Sequence, residues 1–326
     1  MKKNLFILAA AALALTACNN DELVEQNNKL NQAKEITFTP IAQKATRAAV
    51  DGTTFTPTTM MVTAYDATAG KNYFSATAFT GSGDVYKGSK YWPFTPATIN
   101  FLAIAEANGD NSTGVTWGPS STNPTEQVQI DMADNKTNQY DLMYACGTGT
   151  VSQAGNTLSF PTDVDMVFKH AQAWVKFYVQ AGNSASEAIT INSITLNSVS
   201  CQGTFLINHT NWNSSDGSGS VSGVWSAYGT YAGNIAAVKD AGYSALDDES
   251  MQYYGSLMVV PNQGIASFTI NYTIGGNTYN YTYTPASTTL AQATKYTYNI
   301  TLTLHEIIID PEVTNWTEGG PTAVSM

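Results

Sequence analysis

The sequence predicts an all-β protein of two β-sandwich domains in tandem, and three observations carry that prediction. Short runs with alternating apolar residues recur along the chain, separated by Gly, Asn, Asp and Ser clusters. That is the pattern of half-buried strands joined by turns. No stretch sustains a helical period, and Thr, Tyr, Asn, Ser and Gly, residues of strands and turns, are in excess. The 326 residues correspond to about two domains of roughly 150 residues each. Composition closes off other classes. With 14 basic against 25 acidic residues the net charge is −11, so no basic stripe exists to meet a nucleic-acid backbone. At 43% hydrophobic and 11% aromatic, the chain can bury a core and is not a disordered polymer.

The first element is an address. Met1 to Ala17 has a basic start at Lys2 and Lys3, an apolar run from Leu5 to Leu15, and small residues before Cys18. The run is too short to span a bilayer, which needs about 20 residues. Leu15-Thr16-Ala17-Cys18 resembles the bacterial lipobox, which makes residues 1–17 a lipoprotein signal peptide and Cys18 the lipidation site. A polar, Asn- and Gln-rich tether follows over residues 19–34.

The strands come next. Glu35-Ile36-Thr37-Phe38-Thr39-Pro40-Ile41 alternates polar and apolar residues, and Met60–Tyr65, Tyr73–Phe79, Thr98–Ala105, Gln127–Met132 and Asp141–Cys146 continue the series. Turn clusters such as Gly81-Ser82-Gly83-Asp84 and Asn108-Gly109-Asp110-Asn111 punctuate it. A domain boundary is expected near 162–166, after Pro161, dividing the chain into 48–165 and 166–326. In the second part, Phe168–Gln180, Ala188–Ser200, Cys201–Leu206 and Gly255–Val260 read as strands, and the Ser- and Gly-rich residues 208–230 read as a long loop. Ala266–Ile274 and Tyr279–Thr284 flank Gly275-Gly276-Asn277, a hairpin signal. Tyr296, Tyr298, Ile300, Leu302 and Leu304 alternate with Thr and Asn. Ile307-Ile308-Ile309 is apolar on both faces and calls for cover on two sides.

Chemistry is sparse. His170, His209 and His305 are far apart, and none sits in a metal-spaced motif; His170, beside Phe168 in a strand-like run, reads as a structural histidine. Asp247-Asp248-Glu249 lacks the alternation and central Gly of a calcium loop and reads as solvated. Asp163 and Asp165 pair nothing that spacing alone defines. Cys146 and Cys201 read as buried thiols, with pairing in an exported protein as the alternative. No phosphate loop, nucleophile elbow or Cys–His signature appears. No catalytic residue, cofactor or metal is expected, and the chain reads as a non-enzyme.

One residue stands apart. Thirteen of the 14 basic residues are lysine, and the sole arginine is Arg47, placed just after the first strand. An arginine-specific protease has one peptide bond to cut, Arg47–Ala48.

Several fragments in order resemble the Bacteroidetes-type fimbrillins, subunits of protease-assembled (type V) pili. They are the lipobox at Cys18, the early strand with Arg47 after it, Tyr91-Trp92-Pro93 before Ile99-Asn100-Phe101-Leu102-Ala103, and Asp141-Leu142-Met143-Tyr144-Ala145. Phe168-Lys169-His170-Ala171-Gln172-Ala173, Gly203-Thr204-Phe205, and the Tyr296–Leu304 strand with Val313 and Trp316 complete the series. The resemblance spans nearly the whole chain. It implies two transthyretin-like β-sandwich domains and a structural subunit of a cell-surface fimbrium supporting adhesion. The precursor would be anchored in the outer membrane through Cys18, residues 18–47 would be a tether and propeptide strand, and an arginine-specific protease would cut after Arg47. Release of Ile36, Phe38 and Ile41 would then open a groove for a strand from another fimbrial subunit, with Ile307, Ile308, Ile309 and Val313 as the candidate donor. A second reading is a monomeric surface lipoprotein that binds glycans through Trp212, Trp225, Tyr228 and Tyr231.

Overall fold

The computed structural model describes residues 33–42, 57–82, 85–106, 115–119, 127–132, 141–182, 187–200, 203–209, 221–228, 233–246, 250–286, 289–303 and 307–315. Cys18, Arg47, Ala48, Cys201, Trp212, Tyr231, residues 247–249 and His305 lie outside them.

Every regular element among the described residues is a β-strand. The first half contributes β1 (Glu35–Ala42), β2 (Thr59–Asp66), β3 (Lys71–Ser82), β4 (Val85–Tyr91), β5 (Ala97–Glu106), β6 (Val115–Pro119), β7 (Gln127–Met132), β8 (Leu142–Ala154), β9 (Thr157–Ser159) and β10 (Val164–His170). The second half contributes β11 (Ala173–Ala181), β12 (Ile189–Val199), β13 (Gly203–His209), β14 (Val221–Tyr228), β15 (Gly233–Ala236), β16 (Val238–Lys239), β17 (Gln252–Val259), β18 (Ser267–Ile274), β19 (Asn277–Tyr283), β20 (Thr294–Leu302) and β21 (Ile307–Asn315).

Three assemblies result. An eight-stranded sheet runs β10-β1-β4-β3-β2-β5-β8-β9, and β10 also pairs with β8, so the sheet closes on itself. It wraps a core that includes Ile36, Phe38, Phe79, Phe101, Met143 and Phe168. In the second half, the sheets β16-β17-β11-β20-β21 and β15-β12-β18-β19 face each other across Val175, Phe177, Ile194, Phe268 and Tyr298. The strict alternation of buried and half-buried residues along β11 explains why its core face is so sharply defined. Phe177, Phe268 and Tyr298 pack with ring centroids 5.0–5.7 Å apart at the centre.

The third assembly was not legible in the sequence. A four-stranded sheet, β14-β13-β7-β6, takes two strands from each half, with β7 pairing antiparallel to β13. Phe205, Ile207 and Trp225 from this sheet pack on Leu102, Ile104, Leu142 and Tyr144, which lie on the outer face of the closed sheet. Residues 208–230, expected as loop, therefore include a strand at β14.

Two further expectations are corrected. Phe168–Gln180 is not one strand but β10 and β11, separated at Ala171-Gln172. The boundary expected between 165 and 166 falls inside β10, whose Val164, Met166 and Phe168 are buried in the first core. Backbone pairing and burial move the junction to Ala171-Gln172. The hairpin at Gly275-Gly276 forms as expected, with φ of +55° and +78° at the two glycines. A two-residue turn that matches strand twist needs that left-handed backbone.

Candidate functional site

Strand β1 is enclosed on both sides. It pairs parallel with β10, from Phe38↔Val164 to Ala42↔Phe168, and antiparallel with β4, including Thr37↔Lys87 and Phe38↔Tyr86. Ile36 and Phe38 are 0% exposed. The Phe38 ring meets Phe79 at 4.8 Å and Phe101 at 5.0 Å, both edge-on. That geometry places ring edges against ring faces, the favourable arrangement of two quadrupoles. Polar contacts fix the strand ends. The Thr37 hydroxyl donates to the carbonyl of Thr162 (2.9 Å) and to Asp163 Oδ1 (2.5 Å). Glu35 Oε1 accepts from the Ser89 amide at 3.2 Å, with Lys87 Nζ 3.9 Å from Glu35 Oε2, and Trp92 N donates to the carbonyl of Lys34 at 2.9 Å.

The inward set differs from the expected one at a single place. Ile36 and Phe38 point inward, but the next residue in period two is Pro40, which is buried, whereas Ile41 is half-buried on the opposite face. Ile41 was grouped with the core by its apolarity; strand alternation sends it the other way. With β1 taken away, the space it fills would be bounded by Tyr86, Phe79, Phe101, Val164, Met166 and Phe168, and by the backbone edges of β4 and β10.

The candidate donor residues lie at the other end of the chain, in β21. This strand pairs along its length with β20, from Thr294↔Asn315 to Leu302↔Ile307, and forms the edge of its sheet. Ile307 and Ile309 pack partly against the second core. The expected two-sided cover is absent: Ile308 is 50% and Val313 57% exposed. Pro311 sits opposite Tyr298, tolerable because an edge strand need not donate an amide on its free side. Tyr283, Tyr298, Pro311 and Val313 line a shallow pocket between the two sheet edges. Burial, with the nearby Tyr283 and Tyr296, pushes the Tyr298 phenol up to about 12.

Between these ends is a polar clamp. His170 Nδ1 and Asp141 Oδ1 are 2.8 Å apart and buried. The Leu142 amide donates to Gln172 Oε1 (3.0 Å), and the Ala171 amide to the carbonyl of Leu142 (2.8 Å). Trp225 Nε1 donates to the carbonyl of Ala171 at 2.6 Å, and the Ala293 amide to that of Gln172 at 2.9 Å. Gln292 Nε2 reaches the Tyr144 hydroxyl at 2.9 Å. Both sequence fragments around Asp141 and His170 thus meet here, and His170 is structural as expected. Trp225, a glycan-stacking candidate, is 3% exposed and committed to this clamp. Cys146 is buried on β8. Among the described residues no cluster of three His, Cys, Asp or Glu has metal-binding geometry, and no helix is long and apolar enough to cross a membrane.

Sequence reasoning found β1 and β21 but missed Pro40 and the clamp. Alternation alone identifies Pro40. The clamp joins residues from 141 to 293, and no local signal announces it.

Comparison with known proteins agrees with this architecture. A putative cell adhesion protein from Bacteroides uniformis superposes with a TM-score of 0.52 at 14% identity, covering 87% of this chain and 99% of that one. A fimbrial protein from Bacteroides vulgatus gives 0.52 at 15% identity over 86% and 99%. A putative cell adhesion protein from Bacteroides ovatus gives 0.52 at 13% over 88% and 99%. At these identities the likeness establishes the fold. No curated protein sequence matches the chain. The family model described as fimbrillin-like matches residues 20–316, nearly the full length, and the chain therefore belongs to the fimbrillin-like family.

Proposed function

We propose that this protein is a structural subunit of a cell-surface fimbrium, exported as a lipoprotein on Cys18, cut after Arg47 and assembled by strand exchange between subunits. The observation that carries the reading is β1: a strand at the very start of the described chain, paired on both edges with Ile36 and Phe38 fully buried, and followed within a few residues by the only arginine. Cutting Arg47–Ala48 severs β1 from the sheet it completes. Loss of β1 then exposes two strand edges and an apolar floor, a surface that is costly in water and a template for a replacement strand. Burying Ile36 and Phe38 contributes roughly 1.5–3 kcal/mol each, so a donor must supply similar burial. Residues 18–47 carry four acids and four bases, so cleavage leaves the charge of the mature chain unchanged; it acts through the groove. Family membership and likeness to fimbrial and adhesion proteins support the role. The partners are other fimbrial subunits and an arginine-specific protease, and the site is the outer membrane and cell surface. The glycan-binding alternative loses Trp225, which is buried.

The test is treatment of the purified precursor with an arginine-specific protease. One cut at Arg47–Ala48 followed by detergent-resistant oligomers is expected, and Arg47→Ala should keep the fold but block assembly. A clean cut with no oligomers, or normal fibres from Arg47→Ala, would sink the proposal.

A further inference from the structure

Strand β19 is the outer edge of the sheet β15-β12-β18-β19. Sheet edges invite pairing with other chains, and proteins protect them with charge, proline, bulges or short strands. β21 has Asp310, Pro311 and Glu312, β9 has three residues and β16 two. β19, Asn277-Thr278-Tyr279-Asn280-Tyr281-Thr282-Tyr283, has no charge, no proline and an unbroken register against β18. Its centre, Thr278-Tyr279-Asn280-Tyr281-Thr282, reads the same in both directions. Thr and Asn side chains form ladders on the outer face. Asn192 Nδ2 donates to Asn271 Oδ1 and Asn271 Nδ2 to Asn280 Oδ1, both at 2.7 Å. The hydroxyls of Thr273 and Thr278, and of Thr269 and Thr282, are 3.2 Å apart. The tyrosines take the other face, where Tyr281 and Tyr283 pack partly on the second core and Tyr279, 47% exposed, stacks on Tyr272 at 5.6 Å.

We propose that β19 pairs antiparallel with β19 of a second copy of this chain, about a two-fold axis through Asn280, joining two four-stranded sheets into one. The backbone supports that axis. Ile274 and Asn277 close the two-residue turn as a hydrogen-bonded pair, so by alternation Tyr279, Tyr281 and Tyr283 bond to β18 while Thr278, Asn280 and Thr282 turn their N–H and C=O groups to the free edge. Across the axis Asn280 faces Asn280 and Thr278 faces Thr282, and each pair exchanges two backbone hydrogen bonds. The amide ladder continues over the seam: Asn280 accepts through Oδ1 from Asn271, and its Nδ2 donates to Asn280 of the second copy. Tyr279 meets Tyr281 of the second copy in the closer, non-hydrogen-bonded pairs, which covers its exposed ring. Other registers lose these bonds. A slip of one sets Asn280 against a residue whose backbone groups already bond to β18. An axis on Thr282 runs past the strand end at Tyr283, and an axis on Thr278 brings the Gly275-Gly276 turn against the partner.

No charge on β19 opposes the approach; Glu187 sits beside Gly275 at the turn, outside the paired residues. Seven residues a side is well short of the roughly 20–30 of a standard interface, so a single seam is weak. The seam leaves β1 and β21 untouched, so it forms in the uncut chain and does not rest on the strand-exchange reading. In a fibre built as proposed above it joins neighbouring fibres side by side, where many weak seams act together.

The full-length Arg47→Ala chain, which has no arginine to cut, tests the pairing apart from strand exchange. Sedimentation should show a monomer passing reversibly into a dimer, with a Kd of about 10–500 μM. Asn280→Lys and Asn280→Asp should each weaken the dimer about tenfold, because like charges then face each other across the axis, and mixing the two should restore it. Single cysteines read the register, with the disulfides located by peptide mass. Asn280→Cys chains should cross-link to themselves on oxidation, whereas Thr278→Cys and Thr282→Cys should cross-link to each other and not to themselves. All three side chains are exposed, so melting of the monomer should change little. A chain that stays monomeric at about 1 mM, a dimer indifferent to Asn280→Lys, or Thr278→Cys chains that cross-link to themselves would overturn the proposal. None of these outcomes bears on cleavage at Arg47 or on strand exchange.

Discussion

Replacing Phe38 by alanine measures how much of the first sheet depends on the strand ahead of Arg47. Phe38 is 0% exposed and touches Phe79 and Phe101 edge-on at 4.8 and 5.0 Å. Burial of the side chain contributes about 1.5–3 kcal/mol, and each aromatic contact about 0.5–1.5 kcal/mol beyond area. The sum matches the roughly 3–5 kcal/mol typical of Phe→Ala in a packed core. Ile41→Ala is the matched control. Its side chain lies on the other face and is only partly buried, so it should cost about 1 kcal/mol or less. Urea denaturation of the uncut precursor, followed by tryptophan fluorescence, gives both values from the midpoint shift at constant slope. After cleavage at Arg47, the same deficit should speed loss of the 18–47 segment by about two to four orders of magnitude. An Ile41→Ala cost equal to or larger than that of Phe38→Ala would refute the inward assignment of Ile36, Phe38 and Pro40, and the groove built on it.

Three further outcomes follow from the packing. At Gly149 an added Cβ would lie 2.2 Å from the Trp92 ring, so Gly149→Ala should lower stability by about 1–3 kcal/mol in thermal melting, more than Gly276→Ala, where space is open but φ is +78°. Asp141→Ala removes a buried partner of His170 and should cost about 2–3 kcal/mol on denaturation, whereas Trp225→Phe, losing one hydrogen bond to Ala171, should cost about 1 kcal/mol. The phenols of Tyr254 and Tyr298 rise from 10.0 to about 12, chiefly by burial. The folded state therefore holds protons that the unfolded chain gives up. Their contribution to stability is complete below pH 10 and is lost as pH climbs from 10 to 12. A urea midpoint that does not fall as pH climbs from 10 to 12 would contradict this.

Legibility in the sequence tracked how local each cause is. β2, β5, β7, β12 and the β18–β19 hairpin were readable because alternation and turn residues act over a few positions. β14 was not, because Val221-Ser222-Gly223-Val224-Trp225 has the composition of a loop and becomes a strand only by pairing with β13. β4 was passed over for a related reason: Val85-Tyr86-Lys87-Gly88-Ser89-Lys90-Tyr91 has one buried residue, Tyr86, in seven. The break between β10 and β11 carries no Gly or Pro. It comes from hydrogen bonds that reach Ala171 and Gln172 from Leu142, Trp225 and Ala293. In the candidate site, β1 and β21 were visible as strands, and the inward place of Pro40 follows from the same alternation once apolarity no longer favours Ile41.

The sheet shared by the two halves also orders events in time. A chain is made from its N-terminus, and every strand of the closed sheet, β1 to β5 and β8 to β10, has been delivered once His170 is out. β6 and β7 emerge in the same interval but have only each other to pair with until β13 arrives, after the whole of β8 to β12. Closing that long loop is the kind of non-local step that slows β-rich folding. The edge of β7 is thus open throughout that delay, a template for pairing with any neighbouring strand.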